Sequence, residues 1–383
     1  MFKIYGKYTQ AIVYSDICEN DALSQIFELC NHPIFKGASI RIMPDVHAGK
    51  GCTVGTTIRT KGGAVMPSIV GADVGCGVLT VIFSTDSQID YAALDSFILR
   101  AVPTGMSIRE STHPCMQNTI KRRVRELCER LEMYKSESAF LRSCGTLGGG
   151  NHYIEIGRLS NGNYALTIHT GSRSLGKCIA EYYSDVAKNY LHSSGITGVN
   201  RSLPFVEGDD YKDYVSDMLV ATEFAAENRR LIAYDVLNFI GASELRRFDT
   251  VHNYIEPHRD GSITIRKGAI RAEAGEEVAI PLNMRDGVLV CLGKGNPEWN
   301  CSAPHGAGRL LSRSEAKATV SLEEYEESMK GIYTWSVGTS TLDESPMAYK
   351  PAETIIEQIA ETVEIIDVIK PLYNFKARSL SGR

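Results

Sequence analysis

Residues 71–84 read Gly71-Ala72-Asp73-Val74-Gly75-Cys76-Gly77-Val78-Leu79-Thr80-Val81-Ile82-Phe83-Ser84. The second half, 78–84, is apolar or β-branched and too short for a helix, so it reads as a buried strand. The first half places a carboxylate and a thiol among three glycines, which let a backbone turn tightly and approach a ligand. A loop carrying reactive groups therefore feeds directly into a strand. The same pattern recurs along the chain. Glycine clusters at 49–55, 62–63, 145–150, 293–295 and 306–308 lie beside short strand-like runs at 39–43, 164–169, 262–269, 277–282 and 287–292. Helical stretches at 20–31, 119–135, 175–192 and about 209–245 fall between them. Near the end, Pro351 opens a helix whose Ile355, Ile359, Val363 and Ile366 form one stripe, stopped by Pro371. Strands and helices mix without strict alternation, and no strand is followed by GxGxxG, which argues against a doubly wound dinucleotide fold. The expectation is an α+β fold, one domain over 1–383, with mixed sheets, flanking helices and a metal site on loops at strand ends.

The 383 residues carry 43% apolar and 23% charged side chains, ordinary for a globular protein, which excludes a disordered or fibrous chain. A net charge of −5 at pH 7 argues at first sight against a nucleic-acid binder, though net charge does not locate charge. No apolar run is long enough for a membrane helix or a signal peptide, so a cytoplasmic protein without a membrane partner is expected. The ten cysteines show no CxxC pair and no framework spacing, and read as reduced thiols, most of them buried.

Nine histidines divide into two groups. His32, His113, His192 and His258 lie in polar, helix-end or turn surroundings, where a solvated or capping ring is expected. His47, His152, His169, His252 and His305 all lie in or beside Gly-, Asn- or Asp-rich turns. An isolated DxxC would be a tight turn with a buried Cys. Beside five loop histidines, Asp73 and Cys76 supply O and S donors to imidazole N donors, enough for two divalent ions if the thiolate bridges them. Two ions about 4 Å apart are a recurring device of phosphoryl chemistry. Gly148-Gly149-Gly150-Asn151-His152 can wrap an anion with backbone N–H groups, and Arg173, Arg266 and Lys267 read as phosphate clamps.

Eight ordered motifs, DVHAGKGCTVG (45–55), GADVGCG (71–77), GGGNHYIEI (148–156), HTGSRSLG (169–176), FAAENR (224–229), HNYIE (252–256), RKGAI (266–270) and HGAGR (305–309), resemble the RtcB RNA ligase family. The resemblance implies a GTP- and Mn²⁺-dependent ligase that joins RNA ending in a 2′,3′-cyclic phosphate or 3′-phosphate to RNA with a 5′-hydroxyl, in RNA repair or tRNA splicing. It implies that Asp73, Cys76 and His152 hold one Mn²⁺ and Cys76, His169 and His252 the other, with Zn²⁺ or Co²⁺ able to stand in. It makes His305 the nucleophile that becomes a histidine–GMP adduct, followed by an RNA(3′)ppG intermediate. The guanylate would be cradled by Asn151, His152, Tyr153, Ile154 and Glu155, by His252 and Asn253, by Pro281, Leu282, Asn283, Met284 and Val288, and by His305, Gly306, Ala307 and Gly308. Tyr349 and Lys376 would contact the base, with Asp45, Arg173 and Arg309 in support.

The chain departs from that pattern in the guanylate loop, where Pro281-Leu282-Asn283-Met284 stands for P-G-S-M, Val288 for a serine, and Arg285–Asp286 for small residues. Its compact length fits a divergent branch of the family, inclined to RNA repair. Two other readings use part of the same set. A two-metal phosphoesterase needs the ligands but neither HGAGR nor the terminal lysine, and a non-catalytic guanine-nucleotide-dependent RNA-binding factor can dispense with His305. The basic cluster Lys121, Arg122, Arg123 and Arg125 on one helix reads as a solvated face.

Overall fold

His252 is the single residue between two strands that belong to different sheets: Ser243–Val251 ends just before it and Asn253–Pro257 begins just after it. The computed structural model describes residues 1–133, 136–196 and 199–377. The first sheet has six strands in the order Phe2–Tyr5, Gln10–Val13, Ser39–His47, Val54–Thr60, Ile263–Lys267, Asn253–Pro257. The second has seven, in the order Ser243–Val251, Gly77–Ser84, Tyr164–Thr170, Tyr153–Arg158, Val363–Lys376, Gly287–Gly293, Glu277–Asn283. Neighbours are antiparallel except Gln10–Val13 against Ser39–His47. The architecture is α+β with mixed sheets.

Helix Gly208–Ile240, 33 residues and thus about 50 Å long, serves both cores. Its first half sends Tyr214, Met218 and Phe224 into the core under the first sheet, and its second half sends Ile232, Val236 and Leu237 into the core under the second. Asn228 and Arg229, fully buried, sit near the changeover.

Several boundaries differ from the sequence expectation. The long helix stops at Ile240, because Gly241 takes a left-handed conformation (φ 64°) that closes the last turn, and Leu245 lies on a strand instead. The final helix is only Ala352–Ile359, with Ile355 and Ile359 buried. Val363 and Ile366 are on strand Val363–Lys376, where β-branched residues and pairing on both sides override a coincidental helical spacing. Pro371 does not end that strand; it occupies a register shift, where its missing N–H costs no ladder bond. The run 262–269 is divided at Gly268 (φ 60°), after which Ala269–Arg271 pairs with Ser302–Pro304. The helix expected at 119–135 covers Asn118–Arg130, and Tyr134 and Lys135 lie outside the described residues.

All ten cysteines are free thiols, most of them buried. The basic helix face is neutralised by ion pairs, Arg122 with Glu126, Arg123 with Glu223, Arg125 with Glu137 and Arg130 with Asp217. Among the described residues, no helix is long and apolar enough to cross a membrane.

Two histidines expected at the surface are buried. His113 Nδ1 accepts from the Cys115 N–H, so its Nε2 donates to Asp235 at 2.9 Å, a pairing across 122 residues that sequence spacing does not reveal. His32 lies between Phe35 and Phe205 with neither ring nitrogen hydrogen-bonded, and burial pulls its pKa down to about 4. The unfolded chain binds this proton near pH 6.5, so His32 supports folding fully above that pH and withdraws its support as pH falls toward 4. Urea unfolding at pH 7 and pH 5 should show an acid loss of up to roughly 2 kcal/mol that His32→Leu removes; equal acid losses in both proteins would refute the assignment.

Candidate active site

The strand Gly77–Ser84 is led by Cys76, and its neighbour Tyr164–Thr170 carries His169 opposite Val78. The next strand over, Tyr153–Arg158, is led by His152. Three donors thus arrive at one end of adjacent strands, and His252 arrives from the crossing between the sheets. The Cys76 Sγ lies 3.5 Å from His152 Nε2 and 3.2 Å from His169 Nε2, and His169 Nε2 lies 3.4 Å from His252 Nε2. Asp73 Oδ2 is 3.6 Å from His152 Nε2.

The far ring nitrogens decide what these near ones carry. His152 Nδ1 is 2.9 Å from the carbonyl of Leu147 and His169 Nδ1 is 3.2 Å from that of Asn151. A carbonyl only accepts, so both Nδ1 atoms hold the hydrogen and both Nε2 atoms present lone pairs toward Cys76. Burial drives the pKa values of His169 and His252 well below the usual histidine range and that of the Cys76 thiol well above its own. Lone pairs converging on a buried sulfur are an arrangement that a cation relieves, and a bound cation would deprotonate the thiol. The donor set therefore fits a metal, with Cys76, His152 and His169 grouped within reach of one ion.

The loop itself is fixed through its backbone. Gly75 N–H donates to Asn253 O at 2.7 Å, and His252 N–H donates to Cys76 O at 2.9 Å. Asn253 adds side-chain bonds to Asp73 O and from Gly268 N–H.

Beside this cluster His305 stands with its ring centroid 4.8 Å from that of His252. Asp45, fully buried, accepts from His305 Nδ1 at 2.6 Å and from the His305 backbone N–H at 3.1 Å. Nδ1 is therefore protonated and Nε2 carries the ring's lone pair. Gly308 (φ 74°) permits this approach, since a Cβ there would lie 2.8 Å from the Asp45 backbone.

A cavity of about 470 Å³ opens over His305. Of the residues expected at a nucleotide, Asn151, Tyr153, Glu155, Pro281, Leu282, Asn283, Met284, Val288, His305, Gly306, Ala307, Gly308, Tyr349 and Lys376 line it, as does Arg309. Ile154 does not, because strand alternation turns Tyr153 and Glu155 to the cavity and Ile154 to the core. His152, His252 and Asn253 also stand back from it, the first two in the donor cluster and the third bracing the loop. Asn283 lines the cavity but is committed to its own turn, its amide bonding Asp286 and its carbonyl oxygen accepting from Arg285 and Asp286 N–H. Arg173 braces the glycine loop instead, donating to Thr146 Oγ1 and Gly105 O. Arg266, buried, is spent on Glu256, Tyr254 and Ser302, and Lys267 on the Lys50 carbonyl, so neither is a free phosphate clamp.

Sequence reasoning missed Asn374, Arg313 and Glu344. Asn374 Nδ2 donates to Glu155 Oε2 at 2.8 Å, while Glu155 Oε1 and Asn374 Oδ1 are buried and unpartnered beside the cavity. Burial pushes the Glu155 pKa up to about 8, against the pull of Asn374 and Lys376. Glu344 accepts from Lys376 Nζ at 2.6 Å, Tyr349 OH at 2.7 Å and Arg313 Nη1 at 2.8 Å. Burial alone would raise its pKa, but Lys376 and Arg313 hold it at about 2. Alternation on strand Val363–Lys376 places Asn374 and Lys376 on one face, a pairing that the expected stop at Pro371 leaves unread.

A family model described as tRNA-splicing ligase RtcB matches residues 25–377. The RNA-splicing ligase RtcB of Escherichia coli K12 is 33% identical, over 92% of this chain and 93% of its own length. The tRNA-splicing ligase RtcB of Aeropyrum pernix is 26% identical, over 93% and 92%.

If the converging donors hold a metal, Co²⁺ added to the metal-free protein should produce a thiolate-to-cobalt absorption band together with proton release. Cys76→Ala should abolish the band. A band that survives that change would exclude Cys76 as the sulfur ligand.

Proposed function

The chain belongs to the RtcB family of RNA-splicing ligases, and from that premise we propose that it is a GTP-dependent ligase acting in the cytoplasm, in RNA repair or tRNA splicing. In this reading residues 1–383 form one catalytic domain that joins RNA ending in a 3′-phosphate or 2′,3′-cyclic phosphate to RNA with a 5′-hydroxyl. The observation that carries it is the hydrogen bond from His305 Nδ1 to buried Asp45, which leaves a nucleophilic Nε2 at the floor of a nucleotide-sized cavity.

Asp73, Cys76 and His152 would hold one Mn²⁺ and Cys76, His169 and His252 a second. Bound there, such ions neutralise charge developing on phosphate oxygens. The protein's own residues supply the rest. His305 Nε2 attacks the α-phosphorus of GTP as the bond to the α,β-bridging oxygen breaks and pyrophosphate leaves, and Asp45 stabilises the positive charge that grows on the ring. The RNA 3′-phosphate then takes GMP from His305, and the 5′-hydroxyl displaces GMP to form the phosphodiester. At the far end of the cavity, Glu155 Oε1 and Asn374 Oδ1 offer acceptors to the N1–H and 2-amino group of guanine. Lys376 Nζ, oriented by Glu344, faces its carbonyl.

A phosphoesterase would need the donor cluster but not an oriented His305 above such a pocket. Incubation with α-labelled GTP and Mn²⁺ should give an acid-labile protein adduct that His305→Ala abolishes; an adduct in that variant would refute the nucleophile. RNA with 3′-phosphate and 5′-hydroxyl ends should discharge the adduct into joined product, whereas simple phosphate release would favour the phosphoesterase. Asp45→Asn, which removes the charge behind the ring, should slow adduct formation by roughly a hundredfold.

A further inference from the structure

Five loop histidines surround the site, and four have work in the scheme above. The fifth, His47, ends strand Ser39–His47 and lines the same cavity as His169 and His305. Its Nδ1 lies 3.0 Å from the backbone carbonyl of Asp45, so Nδ1 holds the hydrogen and Nε2 carries a lone pair. Among the described residues Nε2 has no hydrogen-bond partner. The ring is outside the group of Cys76, His152 and His169. Asp45 therefore sets two tautomers at once: its carboxylate orients His305 and its carbonyl orients His47. The loop beyond is held as well, since Gln25 bonds both the N–H and the carbonyl of Gly49.

The ligase scheme leaves one proton without an acceptor, that of the attacking 5′-hydroxyl. The other ionisable groups facing the cavity are poorly suited to take it. His169 has its lone pair turned to Cys76, and His305 Nε2 is the atom that exchanges GMP. Glu155 stands at the base end, and Arg309, Arg313, Lys376 and Tyr349 surround Glu344. Burial keeps the phenols of Tyr153 and Tyr349 far from ionising and the His47 ring neutral, hence basic rather than acidic, at pH 7. Glu19, at the rim, is the one competitor.

We propose that His47 Nε2 is the proton acceptor for the RNA 5′-hydroxyl in the sealing step. The bond from O5′ to the 3′-phosphorus forms as the bond from that phosphorus to the GMP oxygen breaks; the hydroxyl proton passes to Nε2, and the imidazolium returns it to solvent. This assignment rests on the ligase reading.

The test is single-turnover sealing of pre-activated RNA bearing a 3′-ppG end with a 5′-hydroxyl acceptor, measured alongside GMP loading from α-labelled GTP. For His47→Ala and His47→Gln the ratio of sealing to loading rates should fall about a hundredfold, the usual scale of general-base catalysis. Because each variant is its own control, partial misfolding lowers both rates and leaves the ratio alone. Added imidazole should restore sealing to His47→Ala but not to His47→Gln, whose side chain fills the space. A ratio within threefold of wild type for His47→Gln, or a loss seen with Glu19→Gln instead, would overturn the assignment. Wild-type protein that neither loads GMP nor seals pre-activated RNA would overturn the ligase reading and this inference with it.

Discussion

One guanidinium holds the site together. Arg229, fully buried in the middle of helix Gly208–Ile240, makes a two-pronged bond to Asp249 at 2.8 and 2.6 Å, and its Nη1 donates to the carbonyls of Gly75 and Thr170 at 2.8 Å each. Those partners lie on the loop of Asp73 and Cys76, beside His169, and on the strand that leads to His252. Its neighbour Asn228 does the same for the glycine loop, accepting from the N–H groups of Gly145 and Thr146 and donating to Thr146 O and Gly171 O. Every segment that delivers a donor to the cluster is thus bonded to two adjacent residues of one helix. A buried cation with these four acceptors is expensive to remove, because each acceptor would be left desolvated and unpaired.

That arrangement explains why so much of the site was legible in the sequence. Reactive side chains sit on glycine-rich loops at strand ends, and such loops announce themselves by composition. The strands at 78–84, 164–169, 277–282 and 287–292 were visible because their runs are short and β-branched, and all lie within observed strands. What stayed hidden depended on distant pairing. Asn228 and Arg229 were visible only as part of a motif, since nothing local shows that a helix interior will meet Gly75, Thr170 and Asp249. Val363–Lys376 was misread because isoleucines at 355 and 359 begin a true helical stripe that Val363 and Ile366 appear to extend. Glu344 and Asn374 stayed hidden because their partners, Lys376 and Glu155, lie 32 and 219 residues away in sequence. His32 and His113 were misplaced because polar neighbours in sequence are not neighbours in space.

The charge balance reads differently once positions are known. Most of the basic residues that drew notice are paired with acids or with backbone oxygens, including the helix at Asn118–Arg130 and the Arg266 strand. The cations that reach the cavity, Arg309, Arg313 and Lys376, gather around the carboxylates of Glu344 and Asp343, with Lys317 also on Asp343, and leave a local positive excess. A net charge of −5 is thus compatible with a pocket that attracts phosphates.

An interior strand of the second sheet also sets an order of assembly. Val363–Lys376 lies between Tyr153–Arg158 and Gly287–Gly293, and Tyr153 pairs with Lys376 over 200 residues away. Until residues 363–376 emerge from the ribosome, the two halves of the sheet present facing, unpaired edges, the kind of surface that recruits foreign strands. Closing so large a loop is entropically slow, and the edge of Tyr153–Arg158 stays unpaired while all the residues between Arg158 and Val363 are made. The segment that brings Asn374 and Lys376 to the cavity is therefore also the one that zips the sheet shut, and the finished cavity cannot precede the completed fold.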